Sequence, residues 1–303
     1  MQSENCHVRN VGVTEWIYVN DQFVPRDQAR ISVFDHGFLY GDGVFETLRA
    51  YQGRLFHVAS HITRLRGSCE RIGLSLPIPE ARWPELLSET VRRNGLSDAS
   101  LRITISRGEG EIGLDPALCV RPTVVIMARP LTPYPADVRQ YGVRLAIVSI
   151  RRNPIEAQPP EVKALSFLNN ILAKHEADRA GCFDGLMLTM DGFLAECTTS
   201  NIFFVSQGQL CTPSVACGIL RGVTRDVVVG LAKEAGLPVV EGMFTQEQLL
   251  SADECFLTNT GMEIMPVSHV GGQCCGAACP GGWTVKLQQA FHANLSRFLD
   301  NQI

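Results

Sequence analysis

The chain has 303 residues, 45% hydrophobic and 19% charged, with 27 basic against 31 acidic side chains and a formal net charge of −4. That length predicts two domains, and the composition excludes disordered, collagen-like and low-complexity classes. With no basic excess, no apolar run near the roughly 18 residues of a membrane span, and a polar N-terminus unlike a secretory signal, neither nucleic acid nor membrane is an expected partner.

Residues 1–14 carry no periodicity. WIYV (16–19) and QFV (22–24) read as a hairpin turned at Asn20-Asp21, and ISVF (31–34) as a further short strand. GVFETLRAY (43–51) alternates, then turns at Gln52-Gly53 into RLF (54–56). The spacing of Val58, Ile62, Leu65 and Ile72 predicts a helix over 57–73, and a second helix covers 80–94. Strands follow at 100–106 and 123–128. The prolines of RPLTPYPADV predict a stiff, extended linker over 131–140. The linker separates a smaller N-terminal α/β domain (1–130) from a larger C-terminal cofactor-binding domain (141–303). Beyond it come a strand (142–150), a helix opened by Lys163, and strands near 185–190 and 201–206. A turn at Gln207-Gly208, a helix (223–235), a strand (238–241), a short helix (245–251), a strand (254–258) and a last helix (284–299) complete the chain. Helices and strands mix without regular βαβ alternation, so the predicted class is α+β. No glycine-rich Rossmann or Walker signature is present.

Eleven scattered cysteines, an odd number, read as free thiols of a reducing cytoplasm. Cys274, Cys275 and Cys279 cluster in a Gly- and Pro-rich loop without a histidine at ligand spacing, so no metal is expected. Lysines are few: 163, 174, 233 and 286. Lys174 reads as an exposed helix position, Lys233 as a last-turn cation suited to the helix dipole, and Lys286 as part of an amphipathic helix. Lys163 differs. It follows the loop EAQPPEV and opens the apolar ALSFLNNILA, where desolvation and a helix N-terminus would both lower the pKa of an amine.

Four segments carry candidate chemistry. DHGFLYGDGVFETLR (35–49) brackets an acid with glycines among aromatic positions, which suits a turn lining a pocket and equally a plain strand–turn–strand. In HITRLRGS (61–68), Arg64 on a helix can clamp a phosphate with paired donors, or be an ordinary solvated arginine. In LAECTTSNIFFV (194–205), Glu196 is a carboxylate in an uncharged stretch and needs a cationic partner or a strong hydrogen bond; a protonated pyridine nitrogen would be such a partner. In GILRGVTRDVVVGLA (218–232), Gly222, Val223 and Thr224 sit where a loop enters a helix, which makes an anion site. FLTNTGMEIMPV (256–267) adds Thr260 on a second turn.

An amine nucleophile, an anion cradle, a clamping arginine and an isolated carboxylate together meet the needs of a pyridoxal-phosphate enzyme. From about residue 16 onward the chain resembles the fold-type IV pyridoxal-phosphate enzymes, the class IV aminotransferases. These include branched-chain aminotransferases, D-amino acid aminotransferases and aminodeoxychorismate lyase. YGDGVFETLRAY, HITRL, the Lys-x-Leu-Ser-x-Leu stretch at 163, AECTTSNIFFV, GILRGVTRD and LTNTGMEIMPV carry the resemblance.

The resemblance implies a two-domain fold in which Lys163 forms the Schiff base and shuttles the substrate proton. Glu196 would hold the pyridine nitrogen protonated. Arg64, Thr224, Thr260 and the Val223 N–H would bind the phosphate, with Asn259 beside them. Gly261 and Met262 would lie close to the substrate carboxylate. Phe38 and Tyr40 would line the side-chain pocket, with Arg102 and Arg107 near its mouth. The implied reaction is ping-pong transamination between an amino acid, foremost a branched-chain L-amino acid, and 2-oxoglutarate or another keto acid. The implied assembly is a homodimer whose sites borrow a loop from the partner. DHGFLYGDGVFE and RGEGEIGLDP (107–116) favour the branched-chain type. Against it, Ser100 and Leu168 stand where tyrosines are expected, and Thr47 replaces a glycine. Arg107 and Lys-x-Leu-Ser-x-Leu lean toward a D-amino acid aminotransferase, and FETLR also occurs in the lyase, so both remain alternatives.

Overall fold

The computed structural model describes residues 15–300. The first of its two sheets is antiparallel throughout, with strands in the order β2-β1-β6-β5-β3-β4. These are β1 (Trp16–Val19), β2 (Gln22–Pro25), β3 (Gly43–Tyr51), β4 (Arg54–Leu55), β5 (Ala99–Ser106) and β6 (Thr123–Pro130). The strands obey a period of two: Leu101, Ile103 and Ile105 are buried on one face of β5, while Arg102 and Thr104 look to the other. β3 pairs with β5 from Gly43↔Ser106 to Ala50↔Ala99, which sets Thr47 opposite Arg102. A short helix, α1 (His36–Tyr40), enters β3; the Asp35 carboxylate caps it by accepting the Gly37 N–H at 2.8 Å. Helices α2 (Val58–Arg71) and α3 (Trp83–Arg93) cover the apolar face. α2 buries Val58, His61, Ile62, Leu65, Ser68 and Cys69, the three-and-four spacing of a one-sided helix.

Helix α4 (Ala136–Tyr141) leads to the second sheet, ordered β12-β11-β10-β13-β14-β7-β8-β9 with β15 on β14. Its strands are β7 (Val143–Arg151), β8 (Asp184–Leu188), β9 (Leu194–Cys197), β10 (Asn201–Ser206), β11 (Gln209–Pro213), β12 (Val239–Gly242), β13 (Glu254–Asn259), β14 (Glu263–Val270) and β15 (Gln273–Cys274). Helix α5 (Leu168–Arg179) packs on β7 and β8. Then come α6 (Val223–Glu234), α7 (Gln246–Leu250), α8 (Gly282–Ala293) and α9 (Leu295–Phe298). Tyr51 of β3 and Phe56, just past β4, join Phe203, Phe256 and Phe291 in one apolar cluster, which fastens the sheets together.

Four expectations need correction. Residues 31–34 form no strand: they turn into α1, leaving Ile31, Val33 and Phe34 exposed. The linker is extended only to Pro135, whose fixed φ of −51° then starts α4. Lys163 does not open a helix, since α5 begins at Leu168. Instead Phe45 donates its N–H to Lys163 O and Leu165 donates to Gly43 O, both at 2.9 Å, and Ala164 bridges Val44. β4 covers β3 only at Ala50 and Tyr51, so the other end of β3 has a free edge for Lys163 to dock on. The last helix starts at Gly282 and breaks at Asn294.

Candidate active site

A cavity of about 380 Å³ opens between the sheets. Phe45, Thr47 and Arg102 line it from the first sheet, and Glu196, Thr224 and Thr260 from the second body of structure. Lys163 stands in its wall with Nζ 4.4 Å from the Phe45 ring centroid. Burial, and then the neighbouring Arg64 charge, depress its ammonium to about 8, against the opposite pull of Glu46 and Glu196. The low pKa expected from the sequence is present. Its cause is desolvation and a like charge, with no helix start at Lys163.

Arg64 is held from beneath. Glu46 is a lone acid on the α2-covered face of β3, and its side chain is wholly buried. It takes Arg64 Nε at 2.6 Å and Nη2 at 2.9 Å in a fork, and His61 Nδ1 at 2.8 Å. A carboxylate only accepts, so His61 Nδ1 carries the hydrogen. Burial alone would raise the Glu46 carboxyl; Arg64 and His61 outweigh it and hold it well below the usual range. Arg64 Nη1 also donates to Arg221 O at 2.8 Å, and the rest of the guanidinium faces the cavity.

Glu196, on β9, is buried. Arg152 Nε lies 3.0 Å from its Oε1, and the Leu220 N–H donates to Oε2 at 3.0 Å. Burial raises the Glu196 pKa; Arg152, Leu220 and Lys163 oppose that rise. Asn201 Nδ2 reaches Oε2 at 3.4 Å and Leu220 O at 2.9 Å. A Cβ at Gly222 would stand 2.2 Å from Asn201 Oδ1, so only glycine lets α6 approach this closely. Gly222 caps α6 without a side-chain bond, and the Asp226 N–H makes the bond back to Gly222 O at 3.0 Å. The amides of Val223 and Thr224 therefore have no intrahelical acceptor and stand at the cavity with the positive end of the dipole. On the facing β13–β14 turn, Asn259 Oδ1 accepts the Gly261 N–H at 2.9 Å and the Met262 N–H at 2.8 Å.

Lys163, Arg64, Glu196, Val223, Thr224, Asn259, Thr260, Arg102 and Gly261 thus meet at one cavity. The other expected residues do not line it. Met262 is 2% exposed and belongs to the core of the second sheet. Arg107 is buried, with Nε and Nη2 on the Asp42 carboxylate and Nη2 on Ile72 O at 2.7 Å, so it holds a loop and does not line this cavity. Phe38 and Tyr40 sit on α1, 67% and 40% exposed, and miss the cavity of their own chain. Ser100 and Leu168 are not cavity residues either, and Phe167 lines the wall instead. Sequence reasoning passed over Phe45, Glu46, Arg152 and Asn201. The signal for Glu46 was a charge at an apolar position of an alternating strand. Cysteines 69 to 279 are all free, and no metal-binding cluster occurs among the described residues. A histidine does stand by the cysteine-rich loop, contrary to expectation: His269 Nε2 is 3.4 Å from Cys274 Sγ.

Residues 43–270 match the family of amino-transferases of class IV. The chain belongs to this family. A Methanocaldococcus jannaschii protein named provisionally as a branched-chain-amino-acid aminotransferase is 43% identical over 275 residues, 91% of this chain and 94% of that one. The aminodeoxychorismate lyase of Bacillus subtilis is 36% identical, over 84% of this chain and 86% of its own. The crystal structure of the Escherichia coli branched-chain amino acid aminotransferase superposes with a TM-score of 0.91 at 30% identity, covering 95% of this chain and 99% of that one.

Class IV aminotransferases use pyridoxal phosphate, and this donor set fits it. Arg64, the open start of α6, Thr224 and Thr260 all line the cavity and could hold a dianion. Glu196 suits a protonated ring nitrogen. Lys163 is an amine kept near neutrality, as an aldehyde requires.

Proposed function

We propose that this aminotransferase exchanges amino groups between branched-chain L-amino acids and 2-oxoglutarate or a similar keto acid. The observation that carries the amino-transfer chemistry is the depressed pKa of Lys163 in a cavity that also holds Glu196 and Arg64. Pyridoxal phosphate, when bound, supplies an aldehyde that condenses with amines and a ring that accepts the electrons left when a Cα proton departs. Lys163 Nζ takes that proton and returns it, and a pKa near 8 suits both directions. Glu196 keeps negative charge beside the ring nitrogen, Arg152 steadies that charge, and Arg64 orients the phosphate on a base fixed by Glu46.

The substrate assignment rests on the names of the archaeal relative and of the Escherichia coli enzyme. The cavity supports it: Phe45, Tyr134, Val162 and Phe167 offer an apolar wall for a branched side chain. Arg102 has no carboxylate among the described ion pairs. Its Nε donates to Thr104 Oγ1 at 3.2 Å, and its guanidinium lies 4.0 Å over Phe45, leaving a charge for the distal carboxylate of an acidic acceptor.

The same reading makes the enzyme a cytoplasmic homodimer. Ile31, Val33, Phe34 and Phe38 expose apolar surface around α1, and α5 turns Leu168, Ile171 and Leu172 outward while burying alanines. Such patches suit burial in an interface, where Phe38 and Tyr40 would reach the partner's cavity. The smaller domain (1–130), joining segment (131–140) and cofactor-binding domain (141–303) follow the change from one sheet to the other. The experiment is the half-reaction: L-leucine should convert the bound aldehyde to its amine form. A response confined to D-alanine, or pyruvate release from aminodeoxychorismate, would replace the assignment.

A further inference from the structure

An ion cluster with a buried carboxylate at its centre lies one step behind the cavity. Glu263 follows the Asn259–Met262 turn and begins β14, and its side chain is 6% exposed. Arg49 Nη1, from β3 in the other sheet, is 2.7 Å from its Oε1, and the Tyr51 hydroxyl donates to the same oxygen at 3.0 Å. His292 Nε2 of α8 is 2.7 Å from Oε2, and Arg139 Nη1 of α4 is 3.6 Å away. Side chains from three other elements, β3, α4 and α8, thus converge on one carboxylate. Glu263 has a φ of +61°, a left-handed conformation that costs a residue with a side chain energy. Those grips hold it there.

Arg49 does a second thing. Its Nη1 also donates to Gly261 O at 3.3 Å. The Gly261 carbonyl and the Met262 N–H belong to one peptide, so that peptide is held at both ends, by Arg49 Nη1 and by Asn259 Oδ1. Arg49 holds the carbonyl toward the ion cluster. The guanidinium also lies 4.0 Å over the Tyr51 ring, so its own position is fixed. Glu263 neutralises the Arg49 charge, which leaves geometry as its contribution.

We propose that Arg49 and Glu263 are positioning residues that lock the Asn259–Met262 turn in the shape that receives the substrate's α-carboxylate. The proposal rests on the transaminase reading above, which places that carboxylate near Gly261. Neither residue lines the cavity, so both act through the turn.

The test uses the holoenzyme and 4-methylvalerate, a branched carboxylate without an amine, titrated by its perturbation of the cofactor absorbance. Arg49→Gln and Glu263→Gln should each weaken its binding at least tenfold and raise the KM for L-leucine more than they lower kcat. The cofactor band should keep its position, since Lys163, Glu196 and Arg64 are untouched. Should Arg49→Gln not accumulate as folded protein, Arg49→Lys takes its place: its ammonium ends one bond short of the Nη1 position that meets both Glu263 and Gly261 O, so affinity should still fall several-fold. A folded variant with a lower Tm and a 4-methylvalerate Kd within twofold of the parent overturns the proposal, because the pair would then be structural only. A parent enzyme with no cofactor band overturns the transaminase reading and this proposal together.

Discussion

The nucleophile should titrate far below an ordinary lysine. With its pKa at about 8, about a quarter of Lys163 is neutral at pH 7.5; at the usual 10.5 the fraction would be about one in a thousand. The difference is roughly 240-fold in the concentration of reactive amine, from the same two values. The perturbation is pH, applied to apoenzyme from 6 to 10.5. The assay is stopped-flow absorbance as pyridoxal phosphate is captured, with Lys163→Ala as the blank. The capture rate should rise with pH, bend near 8 and level off above it. Stability has a matching sign. Between about pH 8 and 10.5 the unfolded chain binds more protons at this lysine than the folded one, so the contribution of Lys163 to apoenzyme stability grows with pH across that window. A capture profile that keeps rising through pH 9.5 would refute the argument that burial and Arg64 dominate at this site.

Glu46→Gln should break the fork under Arg64 and cost about 3–5 kcal/mol of stability, since a buried guanidinium loses its counter-charge; calorimetry and a cofactor titration should show a lower Tm and at least tenfold weaker pyridoxal phosphate binding. Arg152→Gln should leave Glu196 with only uncharged donors at its carboxylate, so the variant should bind cofactor yet remove the substrate proton about tenfold more slowly, with Arg152→Lys restoring part of the rate. In Gly43→Ala, the new Cβ would meet Ile105 O at 2.5 Å and Ser106 Cα at 2.8 Å. It should cost about 1–3 kcal/mol and lower kcat as well, because Gly43 O holds the Leu165 N–H beside Lys163.

Lys163 and Glu196 were legible in the sequence because each is a charge where its neighbours are apolar, and an unpaired charge in such a place needs a reason. Val223 and Thr224 were legible because an anion site at a helix start is local. What stayed hidden is non-local. ALSFLNNILA has the composition of a helix throughout, yet its first residues dock on the free end of β3, a pairing across more than a hundred positions. β14 was missed because Pro266 stands inside it, and Pro usually argues against an interior strand. Arg107 and Arg102 share a motif but not a role. The alternation of β5 leaves Arg102 facing the cavity, while Arg107, just past the strand end, turns back onto Asp42. Phe38 and Tyr40 were placed by resemblance alone, and linear order gives no indication that α1 stands away from this chain's cavity.

The most direct test of the account is a rapid-mixing spectrum of the holoenzyme with L-leucine, beside D-alanine and aminodeoxychorismate. Rapid loss of the absorbance due to the Lys163-bound cofactor with L-leucine, reversed by 2-oxoglutarate and absent in Lys163→Ala, is the predicted result. Silence toward L-leucine with conversion by D-alanine, or pyruvate release without formation of the amine form of the cofactor, would contradict it.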